Sequence, residues 1–341
     1  MTVIPLPVRP VSNGSPATRL STERTMPRRL VHRTAVADVF LTDFVSRGAK
    51  AFDASAQLPR AHHHYRDHTG PDADHDPLAV FEAVHQMLLC AMHLHYDAPL
   101  DSRMVTVNAA LEITDPLPLG TPDTVDLDLR ASVQLSTEDP GLPTRAVHRV
   151  EVRVAGRPVG SITLDAELHP QDAYRRMRTA HRTTARPPSA ALAARPPGQP
   201  VAPGLVARGS AANVLLEGAR VESDGVLARL RTPTGHGALS DAAHDHVPAA
   251  VLMEAARQVS LLTVGAHRGL APDAVRLSGL TAEYLRLTEL DSTVTVLARL
   301  LPDSRGTDAL AVDVVFEQDG SAVARLRVHL AAPGTGTVGR L

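Results

Sequence analysis

Glu254, Arg257 and Gln258 stand at i, i+3 and i+4 in "VPAAVLMEAARQVSLL", and Glu82, His85 and Gln86 repeat that spacing in "DPLAVFEAVHQMLLC". On a helix such residues share one face. Both stretches are otherwise apolar, and a carboxylate buried there is costly unless it is paired or lines a cavity. Two readings follow. Glu254 and Arg257 form an internal pair that fixes the helix, or the acidic face opens on a crevice where a carboxylate works as base or hydrogen-bond acceptor. Recurrence of Glu and Gln 172 residues apart favours a shared device, although duplication preserves structural networks too.

Further candidates flank these helices. "SDAAHDHVP" brings Asp241, His244, Asp245 and His246 to the second helix start, where free N–H groups and the helix dipole stabilise an oxyanion. Asp245 is equally a helix cap or a charge partner. "LPRAHHHYRDHTG" supplies Arg60, His62, His63, His64, Tyr65, Asp67 and His68. Adjacent histidines point in different directions and no spaced ligand set completes a tetrahedral site, so no metal is expected. Arg60, Arg66, Arg257 and Arg286 are the phosphate candidates. Serine nucleophile elbows, P-loops and dinucleotide fingerprints are absent. An enzyme built from these residues would use a carboxylate and positioned dipoles, with no covalent nucleophile.

The elements that must position them form a repeat. Asp76 caps and Pro77 opens a first helix expected over Pro77–His95; a second runs from near Pro248 to near Gly269. A strand-like segment precedes each, "LVHRTAVADVFLT" in the first copy and "GVLARLRTP" in the second. Alternating strands follow: "MVTVNAALEI", "TVDLDLRASVQL", "AVHRVEVRVAG" and "PVGSITLDAEL", then "VRLSGLTAEYLRL", "STVTVLARLL", "ALAVDVVFEQDG" and "AVARLRVHL". One buried helix with about five antiparallel strands, twice, reads as an α+β tandem (double) hot dog. The divisions are a loose tail over 1–27, a first domain over 28–170, a Pro/Ala-rich linker over 171–210, a second domain over 211–333 and a tail over 334–341.

Composition narrows the class. The 341 residues are 43% hydrophobic and 21% charged with a net charge of −2, which favours neither nucleic acid nor an anionic membrane surface. Lys50 is the sole lysine, and the sole cysteine, Cys90, reads as core packing in "MLLCAM". No secretion signal is legible and no segment is expected to span a bilayer, so a cytoplasmic protein is expected.

Four blocks in this order, "LVHRTAVADVFLTDF", "AQLPRAHHHYRDH", "DPLAVFEAVHQ" and "DHVPAAVLMEAARQ", resemble the A-factor biosynthesis (AfsA-type) family from about Leu30 to Leu330. The resemblance implies transfer of a β-ketoacyl group from an acyl carrier protein thioester to a hydroxyl of dihydroxyacetone phosphate. The ester then feeds a γ-butyrolactone, butenolide or furan signal. It implies catalytic roles for Glu254, Glu82, Gln258, Gln86 and Asp245, and substrate binding by Arg257, His246, His62 and Asp67; Arg60 and His85, read from their own chemistry, are expected to join the substrate-binding set. No cofactor is expected, and a homodimer is left open. Glu254 would take the hydroxyl proton with Glu82 as its rival, Gln258 would orient the acyl carbonyl, and helix N–H groups would polarise it. The chain departs from the family pattern at His85, Ala242 and Ala249. A dehydratase, a thioesterase and a non-catalytic acyl-binding protein remain the alternatives.

Overall fold

A computed structural model describes residues 20–70, 75–136, 144–180, 198–232, 236–239, 245–302 and 309–331. Asp241, Ala242 and His244 lie outside them, as do 181–197 of the expected linker and the expected C-terminal tail. Two buried helices are the axes of the fold. α1 (Pro77–Leu94) starts as its sequence dictates: the Asp76 carboxylate accepts the Leu78 N–H at 2.8 Å, and Pro77 occupies the first turn. α3 (Ala249–Arg268) ends on Gly269, whose φ of 66° is the left-handed conformation that glycine adopts without strain. Between them lies α2 (Gln171–Ala180), inside the segment expected to be linker.

Among the described residues, twelve strands make one antiparallel sheet in the order β1-β2-β4-β5-β6-β3-β9-β12-β11-β10-β8-β7. The first six are β1 (Leu41–Ser46), β2 (Ala51–Leu58), β3 (Arg103–Ile113), β4 (Val125–Ser136), β5 (Arg145–Val154) and β6 (Arg157–His169). The second six are β7 (Leu216–Val221), β8 (Gly225–Leu230), β9 (Arg276–Tyr284), β10 (Val294–Leu300), β11 (Ala309–Gln318) and β12 (Ser321–Ala331). Each half has the same strand order, and the two meet where β3 pairs with β9, Ala110 opposite Thr281. Strict alternation drives the wrapping. In β4, Val125, Leu127, Leu129, Ala131 and Val133 all face the core, while the residues between them face solvent. The architecture is the α+β tandem hot dog, with six strands per half where about five were expected.

One expectation is corrected, and the apolar character of α1 is accounted for by burial. The 18-residue α1 has a mean hydropathy of 1.3 and passes the length and composition test for a membrane span, yet 83% of it is buried inside the protein. It is a core helix, apolar all round because a sheet encloses it. The repeat is also offset. "LVHRTAVADVFLT" forms two short 3-10 turns, Arg28–Val31 and Val36–Asp38, followed by β1. Its structural counterpart is Leu205–Glu217, with turns at Pro203–Val206 and Ala211–Asn213 and then β7. "GVLARL" is β8, the mate of β2.

Under the C-terminal end of α1, His148 is buried against Phe52 and hydrogen-bonds Tyr96 Oη at 3.1 Å. Burial pushes its imidazole down to about 4. The unfolded ring takes a proton below about pH 6.5, so between 6.5 and 4 the unfolded chain binds more protons and stability falls as pH falls. Denaturant unfolding at pH 7 and pH 5 is expected to differ by about 2 kcal/mol from His148 alone. H148Q, which keeps a hydrogen-bonding group for Tyr96, should shrink the difference by that amount.

Candidate active site

Each buried glutamate is held by an arginine from the turn that precedes its half's first strand. His32 and Ala207, at φ 51° and 52°, reverse the chain in the left-handed region and direct the next residue, Arg33 or Arg208, inward. Glu82 Oε1 accepts from Arg33 Nε at 3.0 Å, from Arg33 Nη2, and from Gln86 Nε2 at 2.6 Å. Glu254 Oε1 accepts from Arg208 Nε at 3.0 Å and from Gln258 Nε2, while Oε2 accepts from Arg257. The glutamines are braces. Gln86 Oε1 accepts the Phe40 N–H at 2.8 Å and its amide donates to Asp38 O; Gln258 does the same with Leu215 N–H and Asn213 O. With both ends of the amide bonded, Gln86 and Gln258 tie helix to strand.

Symmetry ends at the third position. In the first half that residue is His85, whose Nδ1 lies 3.6 Å from Glu82 Oε2. In the second it is Arg257, which bonds Glu254 and reaches Asp76 Oδ1, the α1 cap, at 2.7 Å. Arg257 thus fastens α3 to the start of α1. Glu254 is fully buried behind this lock, and the pocket beside it, lined by Asp76, Arg208 and Arg257, holds about 100 Å³. Glu82 instead lines a cavity of about 1470 Å³ that runs between α1 and the start of α3. Phe81, Leu89, Val31 and Met104 give it an apolar wall.

The electrostatics match. Burial pushes the Glu82 carboxyl up, but the Arg33 guanidinium and the neighbouring His85 ring outweigh it and hold the group near 2. Glu254 is likewise lowered, burial being outweighed by Arg208 and Arg257. Both are therefore fixed anions at neutral pH. His32, on the cavity wall, donates to or accepts from His93 Nε2 at 2.8 Å, and burial next to His93 lowers it to about 4.

The cavity's far side comes from the second half and α2. Val247, Pro248, Ala249 and Ala250 line it, and the Ala249 and Ala250 N–H groups meet no acceptor among the described residues. Asp245 and His246 line it too. Asp245 does not cap α3, which begins on Pro248 without a side-chain cap. It is a charge partner instead. Tyr174 Oη of α2 donates to Asp245 Oδ1 at 2.8 Å, and Arg178 Nε donates to Oδ2 at 3.1 Å. Arg178 also bonds Glu289.

Of the residues singled out from sequence, Glu82, His85, Asp245, His246 and Arg286 share this cavity. His62, Asp67 and Arg60 do not line it. His62 Nδ1 accepts the His64 and Tyr65 N–H groups and Nε2 bonds Asp38, which fixes its own loop. Asp67 accepts from Ser210 N–H and Asn213 Nδ2, joining the halves, and Arg60 is exposed. Asp38, His62 and His63 have ligand atoms within 4.8 Å of one another. However, with Nδ1 accepting two N–H bonds the ring proton sits on Nε2, where a metal would bind. Sequence reasoning missed Arg33, Arg208, Tyr174, Arg178 and Arg103. The signal for the first two was present: Leu30–Val31–His32–Arg33 recurs as Leu205–Val206–Ala207–Arg208.

Residues 15–169 and 190–332 match the model of the A-factor biosynthesis hotdog domain. The chain belongs to that family. Among curated family relatives, the 2-oxo-3-(phosphooxy)propyl 3-oxoalkanoate synthase of Streptomyces coelicolor is 30% identical over 300 residues, covering 87% of this chain and 89% of the relative. The Streptomyces griseus synthase of the same name is 31% identical over 304 residues, covering 86% and 91%. Among solved structures, a protein described as an oleoyl thioesterase from Lactobacillus plantarum aligns at TM-score 0.51 with 16% identity, over 84% of this chain and 99% of that one. A protein described as a thioesterase from Novosphingobium aromaticivorans aligns at TM-score 0.50 with 16% identity, over 85% and 98%. At such identity these two likenesses establish the hot-dog fold of this family member and nothing about its chemistry.

Removing one member of a buried charge set leaves the others uncompensated. E254Q is expected to lower unfolding free energy by about 3 to 5 kcal/mol, measured in denaturant, because Arg208 loses its anion and Arg257 keeps only Asp76.

Proposed function

We propose that the chain transfers a β-ketoacyl group from an acyl carrier protein thioester to a hydroxyl of dihydroxyacetone phosphate, in the cavity that Glu82 lines. The observation that carries this reading is the asymmetry of the two glutamates: one opens on a cavity large enough for an acyl chain and a phosphorylated acceptor, the other is sealed. Relatives at about 30% identity over most of the chain are named for making a phosphooxypropyl 3-oxoalkanoate, the ester this reaction yields.

The acyl chain lies along Phe81, Leu89, Val31 and Met104, out of water. The thioester carbonyl meets the Ala249 and Ala250 N–H groups, where the α3 dipole and unpaired donors stabilise the oxyanion of the tetrahedral intermediate. Glu82 stays ionised and works as a fixed acceptor that orients the acceptor hydroxyl, while Arg33 keeps it from moving or taking a proton. Arg103 and Arg286 are exposed on the cavity rim with no carboxylate partner among the described residues, and they suit the acceptor's phosphate. Glu254, Arg257, Gln86 and Gln258 act structurally. No side chain needs to form an acyl intermediate.

Mass spectrometry of the products from purified protein, β-ketoacyl thioester and dihydroxyacetone phosphate is the decisive test. The phosphorylated ester is expected; free acid formed without the acceptor would make the protein a hydrolase. E82Q should lose about a hundredfold in kcat, by analogy with the loss of one oriented polar group at a reacting centre. R103A and R286A should raise KM for the acceptor by about tenfold each with kcat little changed.

A further inference from the structure

Acyl transfer to a hydroxyl needs a group that removes the hydroxyl proton as the O–C bond forms. Glu82 is a poor base for that proton, because three donors occupy one of its oxygens and Arg33 holds it near 2. Such a carboxylate orients a hydroxyl well and takes its proton poorly. The same cavity contains a second, differently built pair. His246 Nδ1 lies 2.8 Å from Asp245 Oδ1, and both residues line the wall at the approach to α3.

That geometry sets the tautomer. Asp245 is ionised: burial pushes its carboxyl up, but His246, Tyr174 and Arg178 together outweigh it and hold it well below the usual carboxylate range. An ionised carboxylate is an acceptor only, and Tyr174 Oη, 3.2 Å from the same Nδ1, spends its own proton on Asp245, so the ring proton of His246 sits on Nδ1 and the lone pair is on Nε2. Tyr174 Oη donates to the same carboxylate oxygen, Arg178 Nε to the other, and Arg178 Nη2 to the Asp245 carbonyl at 2.8 Å. Asp245 is therefore clamped from α2 by three bonds, and His246 takes its orientation from it. Only Val247 and Pro248 separate His246 from the alanines whose N–H groups start α3. His246, the Ala249 and Ala250 N–H groups and Glu82 thus line one cavity.

We propose that His246 is the general base of this site, with Asp245 as the residue that positions it and α2 as the brace of both. The assignment rests on the acyl-transfer reading above. In the forward step His246 Nε2 takes the acceptor hydroxyl proton as its oxygen bonds the thioester carbon, and the carbonyl π electrons move onto the oxygen held by the Ala249 and Ala250 N–H groups. On collapse the C–S bond breaks, and the departing thiolate takes the proton from His246 Nε2. The ring returns to its starting state, and no oxidant, metal or third substrate is involved. Glu82 and His246 then divide the work, one orienting the hydroxyl and the other moving its proton.

The experiment follows ester formation with the full-length protein, β-ketoacyl thioester and dihydroxyacetone phosphate. Wild type should form ester; H246A and H246N should fall by about a hundredfold to a thousandfold in kcat, with KM for the acceptor within about twofold. Imidazole added to H246A should restore at least about tenfold of the loss, because the vacated space and the Asp245 carboxylate remain. In the H246A/D245N double variant that rescue should disappear, which a merely structural Asp245 would not produce. H246N keeps a hydrogen-bonding group for Asp245 and serves as the folded variant if H246A melts early. A wild-type rate in either folded His246 variant overturns the assignment, and so does a slow H246A that imidazole cannot rescue. No ester from the wild type overturns the transfer reading itself, and this assignment with it.

Discussion

An ionised carboxylate at the centre of an enclosed helix is the constraint around which this protein is arranged. Glu82 and Glu254 are almost inaccessible to solvent, and left unpaired either would cost several kcal/mol. Each is therefore met by a guanidinium, Arg33 or Arg208, delivered by a left-handed residue just after a short 3-10 turn. That arginine can arrive only if the turn, the following strand and the helix are all in place. Gln86 and Gln258 complete the linkage by bonding the backbone at the start of β1 and β7. The polar set specifies how each helix sits in its sheet, where an apolar helix alone could slide or rotate.

From that common plan one side chain creates two different outcomes. Arg257 is long enough to bond its own Glu254 and the α1 cap Asp76 together, so the second site becomes a joint between the halves. His85, at the matching position, stops short at Glu82 and leaves the space beyond it open. A duplicated fold begins with two potential sites. Here one forms packing instead, and the structural gain is a further connection between halves besides the β3–β9 seam and the Asp67 bonds.

The open site belongs to neither half alone. Its apolar wall and fixed anion come largely from α1, the Ala249 and Ala250 N–H groups and His246 from the start of α3 and the segment before it, and the residues that brace Asp245 from α2. A site built at such a seam can hold a long acyl chain on one side and a charged acceptor on the other without burying both in one core.

Much of this was legible in the chain. Period-2 alternation in stretches such as "TVDLDLRASVQL" and the Asp76–Pro77 start of α1 are local features, set by pleat geometry and capping, and the structure follows them within a residue or two. The helical spacing that sets Glu82 beside Gln86 and Glu254 beside Gln258 is local as well. What the amino-acid order could not disclose involves partners far apart along the chain. Arg33 meets Glu82 across 49 residues, Arg208 meets Glu254 across 46, and Asp76 meets Arg257 across 181. α2 offers few apolar positions and flanks Pro-rich sequence, so its role emerges only when Tyr174 and Arg178 meet Asp245. Sequence by itself determined the two core helices, most of the strands, their duplication and the family; tertiary structure alone decided which glutamate is open. Periodicity acts between neighbours on one element, whereas the burial of a charge depends on every element that closes around it.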